Sequence, residues 1–502
     1  MSPTRRFWLE WLGVFAACAA LCALFQFMTP YLPEEDCYYH VKFAWLLRHH
    51  GFFRSGFPWG AFSLLKDGFS DGSVLFHLYL IPFTFGDLAF GGKLAGVFLS
   101  AFMFSSFFAI LTLNRVRARF YWLWILLLGG GYFWFRMLDV RPQVLSAALL
   151  LWSLHFLVNG KRKGFALLSF LYPLSYVAAF LPQIFSVVRW VYLKVVEERD
   201  ERAMVFAGLA AYGFAMMVHP YFPKNLTFFY VQNVYAMYLS MTQKVNLYMG
   251  GELLPLNTRD FVGAHAVLIA HLFAAAFVFM HRRIALSERT RVMSLIAPIA
   301  ILLTCGSKRF VEYSVPATTL YCAFLFDDLL AGWDLERFHA RYGTLGRAVV
   351  IAWICALAGA SGVQADTISR DYAHLPPPHF KDLATFLAAN APAGETIFTC
   401  DWDEPPELLF YNSQHHYLNL MDPTFMYYWD KKVWKTWFET SNGQLTADET
   451  VKALDGTFHS RFGLCGAKFG AFRRLIGADP RFRILAENQH GYVFELQKDT
   501  LP

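Results

Sequence analysis

Charge is scarce in this chain. Charged residues make up 16% of its 502 positions, against about 25% in ordinary soluble domains. Asp and Glu are almost missing from the centres of its long apolar runs, where the polar exceptions are His155, His265, His271 and Gln183. A transport path through a bilayer needs ionisable groups at depth. Their scarcity argues against a pump or pore and for chemistry at one face. Other catalytic signatures are missing too. There is no Cys-x-x-Cys, no zinc spacing, no P-loop, no Gly-x-Gly-x-x-Gly and no Gly-x-Ser-x-Gly. These absences argue against an ATP-driven pump, a soluble redox enzyme and a serine hydrolase of the elbow type. No internal repeat or low-complexity tract is found.

What the chain has is apolar length. Hydrophobic residues are 56% and the mean hydropathy is positive, at +0.34. A helix needs ~20 such residues to span a bilayer. The runs at 8–29, 93–113, 119–135, 142–158, 164–179, 180–195, 203–218, 262–280, 291–306, 314–331 and 346–364 predict about eleven transmembrane helices. The first is read as an uncleaved anchor rather than a signal peptide. The short basic segments are Arg5-Arg6, 115–119, 161–163, 197–202, 281–291 and 337–347. With eleven spans and a cytoplasmic N-terminus, all six fall on the cytoplasmic side, as the positive-inside rule asks. The apolar stretch 74–90 then has to be an interfacial or re-entrant helix, because a full span there would turn 115–119 outward.

This topology leaves segments 30–92, 136–141, 219–261 and 307–313 outside, with the tail from about 365. Near the membrane on that face lie Glu34, Glu35, Asp36, Asp67, Asp71, Asp139, Glu252 and Glu312. Lys42, Arg136, Arg141, Lys308 and Arg309 accompany them. The tail itself is polar and alternates in period. Strands are expected at 395–400, 416–420, 483–487 and 491–496, and helices at 379–390, 430–440, 447–455 and 467–477. Residues 408–411 read as a short helix or the approach to a strand. Such alternation predicts one compact α/β domain. Cys18, Cys22, Cys305, Cys322 and Cys355 lie in spans as packing residues. Cys400 and Cys465 lie in the tail, where a disulfide between them is one reading and a lone core cysteine the other.

The segment Glu35-Asp36-Cys37-Tyr38-Tyr39-His40-Val41-Lys42 follows directly on the first apolar run. An acidic residue just outside the first span, opening an aromatic amphipathic helix, resembles the first outer loop of the GT-C glycosyltransferases. These are polytopic enzymes that use sugars carried on polyprenyl lipids. The loop is most similar to that of oligosaccharyltransferase catalytic subunits, roughly Asp-x-Tyr-Tyr/Phe-His/Asn. The resemblance implies that Asp36 is the base or a ligand of Mg²⁺ or Mn²⁺. It implies that Asp139 is the second acidic position, although Arg141 stands where that family often carries another Asp. It also implies an Arg near 309 on the donor phosphate. The Trp-Trp-Asp motif that grips an acceptor Ser or Thr is absent, and Trp402-Asp403 is only a fragment of it.

Each position has a plainer alternative. Glu34, Glu35 and Asp36 also suit a helix N-terminus. Asp139 also suits a capped turn paired to a neighbouring Arg. Glu252, after Gly250-Gly251, either completes a carboxylate metal site with Asp36 or is an exposed loop residue. His219 binds phosphate or metal, or is a hydrogen-bonded structural histidine. Lys308 and Arg309 break the positive-inside trend. They bind the donor phosphate through charge and a guanidinium fork, or snorkel to headgroups, or pair with Glu312.

The expectation is therefore an inverting transferase in a bacterial inner membrane, with catalytic Asp36 and Asp139. Donor-phosphate contacts fall to Arg309, Lys308 and His219, and any metal to Asp36 and Glu252. The membrane domain covers 1–364 and the periplasmic α/β domain 365–502. Its partners are a polyprenyl-linked sugar donor, a periplasmic glycan, lipid or protein acceptor, and membrane lipids, with no nucleic acid. The competing readings are a transporter or flippase for a lipid-linked glycan, and a non-catalytic scaffold with a periplasmic binding domain.

Overall fold

The structure is a computed structural model that describes residues 2–242, 247, 250–281, 284–331 and 335–497. Arg282 and Arg283 of the fifth basic segment lie outside them. The chain divides into two compact units. One comprises 1–29, 93–215 and 251–375; the other comprises 30–92, 216–250 and 376–502.

The first unit is helical. Among the described residues, Thr4–Gln26, Leu88–Leu113, Thr258–Met280, Glu288–Gly306 and Gly343–Ala373 are long and apolar enough to cross a membrane. A sixth is added if Gly130–Leu138 and Pro142–Val158, bent by 107°, count as one broken span. The remaining expected runs are helices as well, at Arg119–Leu127, Arg162–Leu171, Leu181–Val196, Arg202–Val218 and Val311–Ala331. They are shorter, interrupted or more polar, so length alone does not establish eleven spans.

Two interruptions shape this unit. The run expected at 119–135 breaks at Gly129-Gly130. Gly130 has φ +83°, and a Cβ there would sit 2.8 Å from the backbone of Gly263, so only glycine fits. The second interruption is the turn at 139–141. Pro142 takes the first position of the following helix, where its missing N–H costs nothing, and it disfavours helical backbone at Arg141.

The second unit contains the helices Glu35–His50 and Val74–Leu80, the latter running on as a 3-10 turn at Ile81–Thr84. It also holds a five-stranded sheet: β1 Thr396–Thr399, β2 His416–Tyr417, β3 Phe462–Gly466, β4 Phe482–Glu487 and β5 Gly491–Leu496. The strand order is β2-β1-β3-β5-β4. β1 is parallel to β2 and β3, while β5 is antiparallel to β3 and β4. Helices Lys381–Asn390, Pro405–Tyr411, Lys431–Ser441 and Gly470–Ala478 complete it. Phe398, Trp437, Leu454, Phe472 and Phe494 form its core. Cys400 and Cys465 form a disulfide with Cα atoms 5.0 Å apart, tying the end of β1 to its parallel neighbour β3. Burial pushes the Glu407 carboxyl up to about 7 even though it accepts the backbone N–H of His379 and Phe380.

Candidate functional site

The sharp turn in the helical unit gathers charge. Arg136 lies in the last turn of Gly130–Leu138, and its guanidinium is almost wholly enclosed, with 1% of the residue exposed. It donates from Nε at 3.1 Å and from Nη2 at 2.9 Å to Glu312 Oε2, and from Nη1 at 2.8 Å to Glu252 Oε2. Glu312 opens the helix Val311–Ala331 and is fully enclosed at 0% exposure. Glu252 retains 27% exposure in its side chain. Arg141 Nη2 reaches Glu252 at 3.5 Å and Arg309 Nη1 reaches it at 3.9 Å. Burial pushes the Glu252 carboxyl up, but Arg141, Arg136 and Arg309 together outweigh it and hold the group well below the usual carboxylate range.

Backbone contacts fix the loop that supplies these groups. Ser307 Oγ donates to the carbonyl of Glu252 at 2.9 Å, and the N–H of Lys308 donates to the carbonyl of Leu254 at 2.8 Å. Lys308 Nζ stands 5.5 Å from the ring centre of Tyr132. Asp139 is buried on the turn, where Gln143 Nε2 donates to its Oδ2 at 3.2 Å. Expected residues Glu252, Lys308 and Arg309 therefore form one cluster. Arg309 pairs with Glu252, while Glu312 takes Arg136 instead. The helical unit holds Asp139 and this cluster; Asp36 and His219 belong to the other unit.

Four cations, Arg136, Arg141, Lys308 and Arg309, stand at this loop against the carboxylates Glu252, Glu312 and Asp139. Arg309 keeps 24% of its side chain exposed. Guanidinium and ammonium groups are the side chains that can hold an oxyanion. The cluster does not suit a divalent cation, because three guanidiniums already surround Glu252. Among the described residues no group of three or more His, Cys, Asp or Glu side chains is set to hold a metal ion.

In the other unit Asp36 sits half-buried in the first turn of Glu35–His50, and Glu34 is the N-cap. Four residues on, His40 is buried. His219 is buried too, and its Nδ1 accepts the N–H of Tyr221 at 3.3 Å. Burial lowers its pKa, partly opposed by the charge of Asp71. In the sequence Arg136 and Arg141 stand only as companions of the acids. Their signal was two arginines in a short segment expected outside the membrane, where positive charge is the exception.

No protein-family model matches the chain, and no curated protein matches it in sequence. Solved structures do match in fold. The archaeal oligosaccharyltransferase AglB from Archaeoglobus fulgidus, in complex with an inhibitory peptide and a dolichol-phosphate, aligns over 100% of this chain and 75% of its own. The TM-score is 0.65 at 13% identity. ArnT from Cupriavidus metallidurans bound to undecaprenyl phosphate aligns over 97% of this chain and 98% of its own, with a TM-score of 0.59 at 12% identity. At these identities the likeness is one of fold, and this chain has the fold of the GT-C membrane glycosyltransferases, to which both of these enzymes belong.

Proposed function

We propose that the protein is a membrane glycosyltransferase that moves a sugar or oligosaccharide from a polyprenyl (pyro)phosphate to a periplasmic glycan, lipid or protein. The observation that carries this reading is the cationic loop, Arg136, Arg141, Lys308 and Arg309, in a chain whose fold neighbours were solved with polyprenyl phosphates. The acceptor attacks the anomeric carbon and gives its proton to Asp36. The bond from that carbon to the phosphate oxygen breaks, and the electron pair stays on the lipid phosphate. Fixed cations stabilise the charge that develops there. Asp139, on the turn between Arg136 and Arg141, is the second carboxylate of the site and holds the donor or orients the acceptor. Attack opposite the leaving group inverts the anomeric centre. The Cys400–Cys465 disulfide supports an extracytoplasmic tail, since such bonds persist in oxidising compartments.

The test is binding of undecaprenyl phosphate to the purified full chain in nanodiscs. A hydrogen bond to a charged group is worth about 1.5–3 kcal/mol. Arg309→Ala should therefore weaken binding by roughly tenfold or more. Equal affinity of wild type and Arg309→Ala, or no binding to either, would remove the phosphate role. A flippase reading would be favoured instead if the lipid bound but no sugar was ever transferred.

A further inference from the structure

An apolar groove of about 390 Å³ runs between the first helix, Pro3–Gln26, and the helix Arg119–Leu127. Both belong to the helical unit. Gly13, Ala17 and Leu21 line one wall, and Phe120, Leu123 and Leu127 line the other. Each set recurs every three or four residues, which is one face of a helix. At Gly13 a Cβ would meet nothing within 4 Å, so the wall stands open there. From Glu10 at one end to Leu21 at the other, the lining follows the helix for roughly 16 Å. That is the depth of one leaflet, half of a ~30 Å hydrocarbon core. A transmembrane helix from another chain would need a seam about twice as long.

The Glu10 end of the groove is charged. Glu10 accepts from Arg6 Nε at 3.0 Å and from Arg119 Nη2 at 2.8 Å. The Arg6 side chain is 70% exposed and that of Arg119 is 27% exposed. Glu10 engages one nitrogen of each guanidinium. Among the described residues, Arg6 Nη1 and Nη2 and Arg119 Nε and Nη1 make no further hydrogen bond. The Arg119 guanidinium stands 5.4 Å from the ring centre of Phe108 and 5.7 Å from that of the wall residue Phe120. Two guanidiniums against one carboxylate leave this end net positive, and Arg5, exposed beside Arg6, adds to it. Phe7, Trp8 and Trp11 sit in the same two turns, with ring contacts at 5.4 and 5.8 Å. Tryptophans near a helix end mark the headgroup level of a bilayer.

We propose that this groove holds one acyl chain of an anionic glycerophospholipid from the leaflet that borders the N-terminus. Arg6 and Arg119 hold the lipid phosphate through their remaining N–H groups, and Glu10 fixes both guanidiniums in place. Charge complementarity selects the headgroup, since a guanidinium fork matches phosphate oxygens and basic clefts between membrane helices take anionic lipids. The apolar walls and one-leaflet length select the chain. Arg119 opens the apolar run that Arg136 closes, so this groove stands apart from the cationic loop. The lipid held here is a structural ligand and not a sugar donor, and the proposal does not depend on sugar transfer.

Photolabelling of the full-length protein tests it. The purified protein in phosphatidylcholine nanodiscs is given a trace of phosphatidylglycerol with a diazirine in mid-chain, irradiated, and mapped by peptide mass. Label should fall on residues 13–21 and 120–127, and excess plain phosphatidylglycerol should remove it. Phosphatidylcholine carrying the same diazirine should label these segments several-fold less. Arg6→Gln removes one exposed guanidinium and should cut the phosphatidylglycerol label there by roughly fivefold. Gly13→Leu places a side chain in the open wall and should abolish it. Equal labelling by the two probes overturns the proposal, because the groove then recognises no headgroup. Label absent from both segments, or undiminished in Gly13→Leu, overturns it as well. Should Gly13→Leu fail to fold, Arg6→Gln and the paired probes still decide.

Discussion

Removing Arg136 should unsettle the helical unit far more than removing any other basic residue of the loop. Glu312 is fully enclosed, and both hydrogen bonds to its Oε2 come from Arg136. Its Oε1 has no partner among the described residues. Arg136→Met keeps length and apolar bulk but leaves a buried carboxylate without its counter-charge. Breaking a buried pair in this way costs about 3–5 kcal/mol. Glu252 suffers less, because it is partly exposed and keeps Arg141 and Arg309. The double variant Arg136→Met with Glu312→Leu removes both charges, and replacing a whole buried pair by apolar groups is often neutral or better. Thermal unfolding of the purified protein, followed by intrinsic fluorescence, should show a large fall for the single variant and recovery of most of it in the double. A single variant as stable as wild type, or a double no better than the single, would refute this account of the cluster.

Three further outcomes are expected. Asp36→Asn should keep the fold, because a carboxylate in the first turn of a helix contributes only about 0.3–1 kcal/mol through the helix dipole and Asn keeps its shape. Its turnover should fall by roughly 10²-fold, and full turnover would dismiss Asp36 as the base. Peptide mapping without reductant should find Cys400 joined to Cys465; replacing both by Ser should cost about 2–5 kcal/mol of tail stability, and an unchanged unfolding midpoint would contradict that role. The Glu407 carboxyl, pushed up to about 7 mainly by burial, is more readily protonated folded than unfolded, where its pKa is about 4.3. Its contribution is therefore fully present below that value and is lost as pH rises towards 7. Glu407→Gln should flatten the fall of the tail's unfolding midpoint between pH 5 and 7, and an unaltered slope would contradict it.

Much of this architecture is legible in the sequence, and the gaps have physical causes. The apolar runs mark the helices of the first unit because burial or lipid contact demands length and apolarity. They do not show that Gly130 breaks one run in two, since only the approach of Gly263 makes glycine obligatory there. The hairpin of β4 and β5 shows as two alternating runs around Asn488. The central strand β3 does not, because Phe462–Gly466 carries two glycines and is buried throughout. A Cβ at Gly463 would strike the Phe494 ring at 2.3 Å, which is why so poor a strand former occupies the middle of the sheet. The tail also has a helix at Pro423–Trp429 that aromatic composition alone does not announce.

The site divides in the same way. Lys308 and Arg309 stand out because, in the topology expected from the sequence, they break the positive-inside trend. The partner of Arg309 is Glu252 rather than the nearby Glu312, a choice made by packing around Arg136. The buried hydrogen bonds that link Asp71, His77 and His40 show in the sequence only as separate residues, His40 in the motif and Asp71 among the acids. A contact spanning 37 positions has no local signature.

The most direct test of the account is transfer itself. The purified full chain in nanodiscs would be given membrane-extracted, radiolabelled polyprenyl-linked sugars with a periplasmic extract as acceptor, and label leaving the lipid fraction would be counted. Transfer by the wild type, with roughly 10²-fold less in Asp36→Asn and a deficit in Arg309→Ala that excess donor partly relieves, is the result expected. Label that stays on the lipid with every protein, or transfer undiminished in both variants, would contradict the central claim.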